Sequence, residues 1–341
     1  MLNALPLPRT PDPREAPTLR WGILGPGWIA QRFVESLHAH TTQEVVAVAS
    51  RDRKRALAFG AEWSLPKAHD SYDALFDDPD VDIVYIATTH PGHRDNAIAA
   101  LDAGKHVLVE KPLAVDAAGA RDIVAAAARN DRFAGEAMWT KFLPKFDVVR
   151  QVLDAGALGE IRTVIADHGE FFTPDHRIYD ASLAGGPLLD LGTYPIALAH
   201  MVFGSFTSVV ARGQDARPGL NGQIAAVLSD VAGNQAVVHT TILSDTPTAA
   251  VIVGRDAMLH IDGPFFMPGP FTLTRHRGHP GSPGSVLRYD EKPGVQTDGL
   301  HYAAVEAARL IADGRRESDI HPLQAAIRTL EVADEVRRQL A

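Results

Sequence analysis

From Arg20 onward, short apolar runs alternate with stretches in which apolar residues recur at three- and four-residue spacing. LRWGILG, EVVAVAS, VDIVYIATT, KHVLVEK and RFAGEAMW read as strands. WIAQRFVESLHAH, DRKRALAFGAEW, PGHRDNAIAALDAG and VDAAGARDIVAAAARN read as the helices between them, with Gly104 as a stop signal. Strands alternating with amphipathic helices predict βαβ units and a parallel sheet, and right-handed crossovers make it doubly wound. The expected class is α/β.

The pattern changes after Phe142. IRTVIADHGEFF, SFTSVVARG, IAAVLSDVAG, QAVVHTTIL, TAAVIVG and AMLHIDG are strand-like and joined by short connections, which predicts a mostly antiparallel sheet. Helical spacing returns in LLDLGTYPIALAHMVF, HYAAVEAARLIADG and LQAAIRTLEVADEVRRQL. The expected division is a loose, proline-rich arm over 1–18, an α/β domain over 19–141 and an α+β domain over 142–341, with the last helix a candidate to pack back on the first domain. PFFMPGPFTLTRHRGHPGSPGS, rich in Pro and Gly, reads as loop.

Composition narrows the function classes. The chain has 341 residues, 45% hydrophobic and 22% charged, enough for two domains with cores. Its formal net charge of -9 argues against general nucleic-acid binding. It contains no cysteine, so disulfides, thiolate catalysis and Cys-based zinc sites are excluded. No apolar run is long enough for a bilayer, and the N-terminal segment lacks the pattern of a secretory signal. A cytoplasmic location is expected. His168, His176 and His200 form no convincing metal-ligand set, and His200, on an apolar helix, reads as structural.

Gly25-Pro26-Gly27-Trp28-Ile29-Ala30 matches the G-x-G-x-x-A dinucleotide fingerprint, directly between a strand and a helix. Gly25 permits the tight turn, Gly27 lets the backbone approach a pyrophosphate, and Ala30 lets helix and strand pack closely. The helix N-terminus offers N–H groups to the anion. An NAD site usually carries an acid at the end of the second strand. Here that strand ends Ala49-Ser50-Arg51, and Arg55 follows one turn on, which favours the 2′-phosphate of NADP over NAD. Arg53 and Lys54 are expected to face solvent. In the competing arrangement Asp52 binds the ribose diol and Arg51 only stacks on adenine.

Two further places carry candidate chemistry. Glu110-Lys111-Pro112 lies at the carboxyl end of a predicted parallel strand, where ligands of such sheets bind. The plain alternative is a surface lysine. In Gly185-Gly186-Pro187-Leu188-Leu189-Asp190-Leu191-Gly192-Thr193-Tyr194-Pro195, Asp190 and Tyr194 are four apart and would share one helix face, with a kink expected at Pro195. The plain alternative is an Asp serving the helix dipole and a Tyr at a domain interface.

G-P-G-W-I-A, A-T-T-H-P-G-H, A-G-K-H-V-L-V-E-K-P-L-A, E-A-M-W-T-K-F-L-P and G-G-P-L-L-D-L-G-T-Y-P together resemble the glucose-fructose oxidoreductase / inositol dehydrogenase / MocA family. The likeness runs from about residue 19 to the end. It is greatest with the branch that holds dimeric dihydrodiol dehydrogenase and NADP-dependent xylose dehydrogenase. It implies a Rossmann domain followed by a domain with a large open sheet, through which members dimerise or tetramerise. It also implies Lys111 beside nicotinamide and substrate, with Asp190 and Tyr194 opposite. Many relatives carry His where Tyr194 stands, and Tyr is the form of the dihydrodiol branch. Thr88, Thr89, His90, His93, Trp139 and Thr140 fall near the cofactor by the same likeness, although His93 has a simpler use in supporting the helix that follows it.

The function expected is NADP-dependent hydride transfer to or from a carbinol carbon of a sugar or related polyol, without a metal. Tyr194 is the expected acid/base, with Lys111 lowering its pKa and binding the substrate oxygen; the two roles are exchangeable. Asp190 would hold a substrate hydroxyl or orient Lys111, and Arg177 and Tyr179 are candidates to line the pocket. The alternatives are a trans-dihydrodiol dehydrogenase, a keto-sugar reductase or transhydrogenase, and a non-catalytic NADP-binding sensor.

Overall fold

The computed structural model describes residues 2–276 and 284–341, which divide into two compact units. One comprises Pro11–Phe142 and Gln296–Ile327; the other comprises the N-terminal residues up to Thr10, Leu143–Val295 and Arg328–Ala341.

The first unit is built on six parallel strands, β1 (Arg20–Leu24), β2 (Glu44–Ala49), β3 (Lys67–His69), β4 (Ile83–Ile86), β5 (His106–Val109) and β6 (Ala134–Glu136), in the order β3-β2-β1-β4-β5-β6. Beyond the half-buried Arg20 and His106 that begin β1 and β5, the central strands are buried and lack charged side chains, as a sheet covered on both faces requires. Helices α1 (Trp28–His40), α2 (Arg53–Glu62), α3 (Tyr72–Phe76), α4 (His93–Asp102) and α5 (Ala117–Asn130) make the crossovers. Asp52, Ser71 and Asp116 cap α2, α3 and α5 by accepting backbone N–H groups, so three of these helices start where the sequence supplies a cap. The order reverses between β1 and β4, which opens a crevice at the carboxyl ends of the strands.

The second unit holds α6 (Pro144–Asp154), β7 (Ile161–Gly169), α7 (Pro187–Asp190), α8 (Thr193–Phe203), β8 (Ser208–Arg217), β9 (Leu220–Ser229), β10 (Gln235–Thr241), β11 (Ala250–Gly254), β12 (Ala257–Ile261), β13 (Phe271–Arg275) and β14 (Val286–Tyr289). The eight strands form one sheet, β14-β13-β12-β11-β7-β10-β9-β8, in which β7 and β10 run parallel and the other described pairs antiparallel. One face buries Val164, Ala166, Ala236, Val238, Ile252 and Leu259, and α7 and α8 pack against the sheet. The other face carries a row in direct register, Val210–Val227–Val237–Ile165–Val251.

Helix α9 (His301–Ala312) belongs to the parallel-sheet unit and packs against α1 and the 3-10 turn Trp139–Phe142. Helix α10 (Leu323–Leu340) passes into the open-sheet unit at Arg328, where Gln339 bonds both Val209 O and Ala211 N. The expected assignment of 142–341 to one domain is thus corrected. Residues 296–327 join the parallel-sheet unit, where α9 packs against α1; the last helix begins in that unit, with Leu323–Ile327, and its end bonds β8 through Gln339.

Two more readings change. The arm over 1–18 is anchored: Arg9 bonds Asp147 through its backbone N (2.7 Å) and Nη2 (2.9 Å), and Ala16 packs with Val305 and Ala308. The segment read as loop over 264–285 contains β13, whose Phe271 and Leu273 are buried; residues 277–283 of it lie outside the described residues.

Candidate active site

The phosphate turn follows β1. Gly25 has φ +91°, and a Cβ there would lie 2.9 Å from Ala87 O, so only glycine fits. A Cβ at Gly27 would meet nothing within 4 Å, which leaves open space in front of the α1 N-terminus. Gly27 is the N-cap of α1 and offers no side chain to its first N–H groups. Unsatisfied donors, open space and the positive end of a helix dipole are what a pyrophosphate needs, so the residues fit a dinucleotide. Ala30 is fully buried, Ile29 is half-buried and Trp28 is 59% exposed beside the turn.

At the end of β2, Ser50 is buried and Arg51 and Arg55 are exposed. The guanidinium of Arg51 lies 5.8 Å from the centroid of the Tyr72 ring, and Arg55 Nη2 donates to Pro26 O at 3.1 Å. Asp52 accepts the N–H groups of Lys54 (2.9 Å) and Arg55 (3.4 Å), so its carboxylate is engaged as a helix cap. Arg53 and Lys54 face solvent as expected.

After β4, Thr88 is half-buried, Thr89 exposed and His90 buried. His93 is fully buried, with Nδ1 2.7 Å from Pro112 O and Nε2 3.0 Å from Thr88 O. It is a brace between the loops that follow β4 and β5, a different use from the support of the following helix expected from sequence. Burial pushes its pKa down, against the pull of the two carbonyls. Trp139 and Thr140, beyond β6, are buried in a 3-10 turn.

Lys111 stands half-buried directly beyond β5, and its bond to Pro112 is cis. Glu110 beside it is buried. It accepts the Tyr85 hydroxyl at Oε1 and the Lys111 N–H at Oε2 (3.1 Å). Burial pushes the Glu110 carboxyl up to about 7, although both bonds favour its ionised form. The parallel-sheet unit therefore brings the phosphate turn, the basic end of β2, the Thr88 loop and Lys111 to the carboxyl edge of one sheet.

The open-sheet unit holds the remaining candidates. The helix expected across Asp190 and Tyr194 is two helices, broken at Leu191 and Gly192. Pro195 does not kink α8. It is the third residue of that helix, in the first turn where N–H groups lack intrahelical partners. Asp190 Oδ2 lies 3.6 Å from Arg177 Nη2. Tyr194 stacks on Phe266 (centroids 4.6 Å), and His168 stacks on the same ring (4.5 Å). His168 is buried, and its Nε2 lies 2.8 Å from Glu170.

Tyr179, a candidate to line the pocket, is buried. Its hydroxyl donates to Phe172 O (3.2 Å) and Ile242 O (3.4 Å), and it packs with Ile178, Leu191, Leu220 and Ile242. His200 is structural, with ring nitrogens at the Gly204 and Arg328 carbonyls, and His176 caps the turn Arg177–Tyr179. Among the described residues no group of three or more His, Asp or Glu could hold a metal ion, and no helix is long and apolar enough to cross a membrane.

Residues 19–137 match the model of the oxidoreductase family with an NAD-binding Rossmann fold, and residues 146–260 match the GFO/IDH/MocA C-terminal domain. Trans-1,2-dihydrobenzene-1,2-diol dehydrogenase of Bos taurus is 34% identical over 327 residues, 94% of this chain and 97% of the relative. The chain belongs to the GFO/IDH/MocA oxidoreductase family. Among solved structures of similar fold are a 3-ketoreductase from Actinomadura kijaniata with NADP and TDP-benzene (27% identity, TM-score 0.80, covering 95% of this chain and 98% of that one) and an aldose-aldose oxidoreductase from Caulobacter crescentus with glycerol (25%, 0.81, 94% and 97%).

Within this GFO/IDH/MocA chain, several residues around the site have no local sequence signal. Tyr85 reads as an ordinary strand residue and His168 as a lone histidine. Phe266 lies in a stretch read as loop. Glu136 and His321 are a buried pair separated by 185 residues. Only the fold of each unit brings such partners together.

Proposed function

We propose that the protein is an NADP-dependent dehydrogenase that moves a hydride between the nicotinamide and a secondary carbinol carbon of a cyclic polyol, a sugar or sugar derivative. The observation that carries this reading is the line of phosphate turn, basic β2 end and Lys111 along one edge of the parallel sheet. Bound nicotinamide supplies the hydride acceptor or donor. Gly25, Gly27 and the α1 N-terminus hold the pyrophosphate, and Ser50, Arg51 and Arg55 hold the 2′-phosphate. Two facts favour NADP over NAD: Arg51 stands where an acid would bind the ribose diol, and Asp52 is already engaged as the cap of α2.

Proton transfer must accompany hydride transfer. Lys111 is the group proposed to bind the substrate oxygen. Tyr194 is the candidate acid/base, and the two roles are exchangeable. Asp190 accepts a hydrogen bond from a neighbouring substrate hydroxyl, and its ion pair with Arg177 restrains it. An aromatic trans-dihydrodiol is the second reading, favoured by the 34% identical relatives and by the flat Tyr194–Phe266 stack.

The reading extends to assembly and location. The outward row of the open sheet exposes Val210 (55%), Ile165 (49%) and Val237 (38%), a contiguous aliphatic strip that a second copy would cover in a homodimer or homotetramer. The cysteine-free composition suits a reducing cytoplasm.

The test is turnover of a panel of sugars and a trans-dihydrodiol with NAD and with NADP, followed by the absorbance of the reduced nicotinamide. Lys111→Ala and Tyr194→Phe should each lower kcat by about 10²–10⁴-fold and leave cofactor affinity largely intact. Normal rates in both variants would overturn the reading.

A further inference from the structure

The backbone that carries Lys111 is tied at three successive residues, each to a different buried side chain. Lys111 N–H donates to Glu110 Oε2 (3.1 Å), Pro112 O faces His93 Nδ1 (2.7 Å), and Leu113 N–H donates to Glu136 Oε1 (2.7 Å). The third tie has a further member. Glu136 Oε2 lies 2.6 Å from Nε2 of His321, and the two side chains are 3% and 2% exposed. Glu136 ends β6, and His321 lies in the segment 296–327, far along the chain but in the same unit.

We propose that Glu136 and His321 are positioning residues for Lys111, fixing the backbone turn from which its amine is presented. The proposal rests on the reading of Lys111 as a catalytic group. A buried carboxylate needs a partner at each oxygen. With Leu113 N–H on one and the imidazole N–H on the other, the Glu136 rotamer is fixed, and with it the height of the 111–113 turn above β5. Removal of His321 leaves one buried oxygen without that partner. The carboxyl is then free to turn, and Leu113 N–H loses its fixed acceptor. Displacement of a catalytic group by about 1 Å costs on the order of 10²-fold in rate, so small changes in this turn are read out in turnover.

The test uses the full-length protein. His321→Leu should lower kcat by roughly tenfold or more with KM and the cofactor dissociation constant little changed, because the phosphate turn and β2 end are untouched. Glu136→Gln keeps an acceptor for Leu113 N–H and should recover most of the rate that Glu136→Ala loses. Hydrogen exchange of the Leu113 amide should be slow in the natural chain and faster in His321→Leu. A purely stabilising pair would lower the melting temperature and leave kcat unchanged below it, and that result overturns the proposal. If His321→Leu does not fold, His321→Gln, whose amide can still donate to Glu136, takes its place and should retain more activity than Glu136→Ala. If the natural protein turns over no substrate, the reading of Lys111 fails separately, and a Leu113 amide that exchanges rapidly in the natural chain still overturns the tether.

Discussion

The hydroxyl of Tyr85 donates to the buried carboxyl of Glu110, the residue immediately before Lys111. The Tyr85 ring is itself held by Phe33, with centroids 3.7 Å apart, so the donor is fixed from below the sheet edge. Burial outweighs the bonds to Glu110 and pushes its carboxyl from 4.5 up to about 7. Below its ordinary pKa the group is protonated in both folded and unfolded chains. Between 4.5 and about 7 the folded chain binds more protons than the unfolded one, so stability falls as pH rises through that window. Fully expressed, the effect is roughly 3 kcal/mol. Glu110→Gln removes the titrating group. Denaturant unfolding of both proteins from about pH 4.5 to about pH 8 should show the variant gaining on the natural chain as pH rises, by up to ~3 kcal/mol. A difference that does not change with pH would show that Glu110 has an ordinary pKa in the fold.

Cofactor choice turns on the end of β2. A guanidinium pairing with a phosphate contributes about 1.5–3 kcal/mol, which is about 10–150-fold in affinity. Arg51→Ala should therefore weaken NADP binding by about that factor and leave NAD binding nearly unchanged. Titration of each cofactor against tryptophan fluorescence would measure both constants, since Trp28 is exposed beside the phosphate turn. Equal weakening of both cofactors would assign Arg51 to adenine stacking over Tyr72 instead.

Particular residues show how far the sequence carries. The Gly25–Ala30 turn was legible because one short motif holds all of its determinants. Lys111 was legible because it directly follows an apolar strand. The break at Gly192 was not. Leu188 O would lie 2.7 Å from a Cβ there, a close approach that spacing does not report, and Pro195 drew attention to the wrong residue. Strand β13 was hidden because Pro and Gly flank it on both sides. Tyr179 sits in a turn-rich stretch that resembles a substrate loop, yet the segments just beyond β7 and β10 supply both acceptors for its hydroxyl. Glu136 and His321 needed the order of the sheet and the return of residues 296–327 to the first unit. Periodicity reports which face a residue takes, and says nothing about which distant residue waits there.

The outward row of the open sheet gives the last prediction. Ile165 stands within it, with Val237 on one side and Val251 on the other in direct register. The side chain is 49% exposed and alternates with buried Val164 and Ala166, so Ile165→Glu leaves the core of the sheet intact. Surface substitutions of this kind change folding stability by about 0.5 kcal/mol or less. In a sheet-to-sheet dimer, however, each copy would bury a carboxylate against aliphatic side chains, at a cost of several kcal/mol per ion. Sedimentation should find the natural protein as a dimer or larger and the Ile165→Glu variant as a monomer with an unchanged circular dichroism spectrum. A natural chain that sediments as a monomer, or a variant whose assembly is unaltered, would rule this face out as the interface.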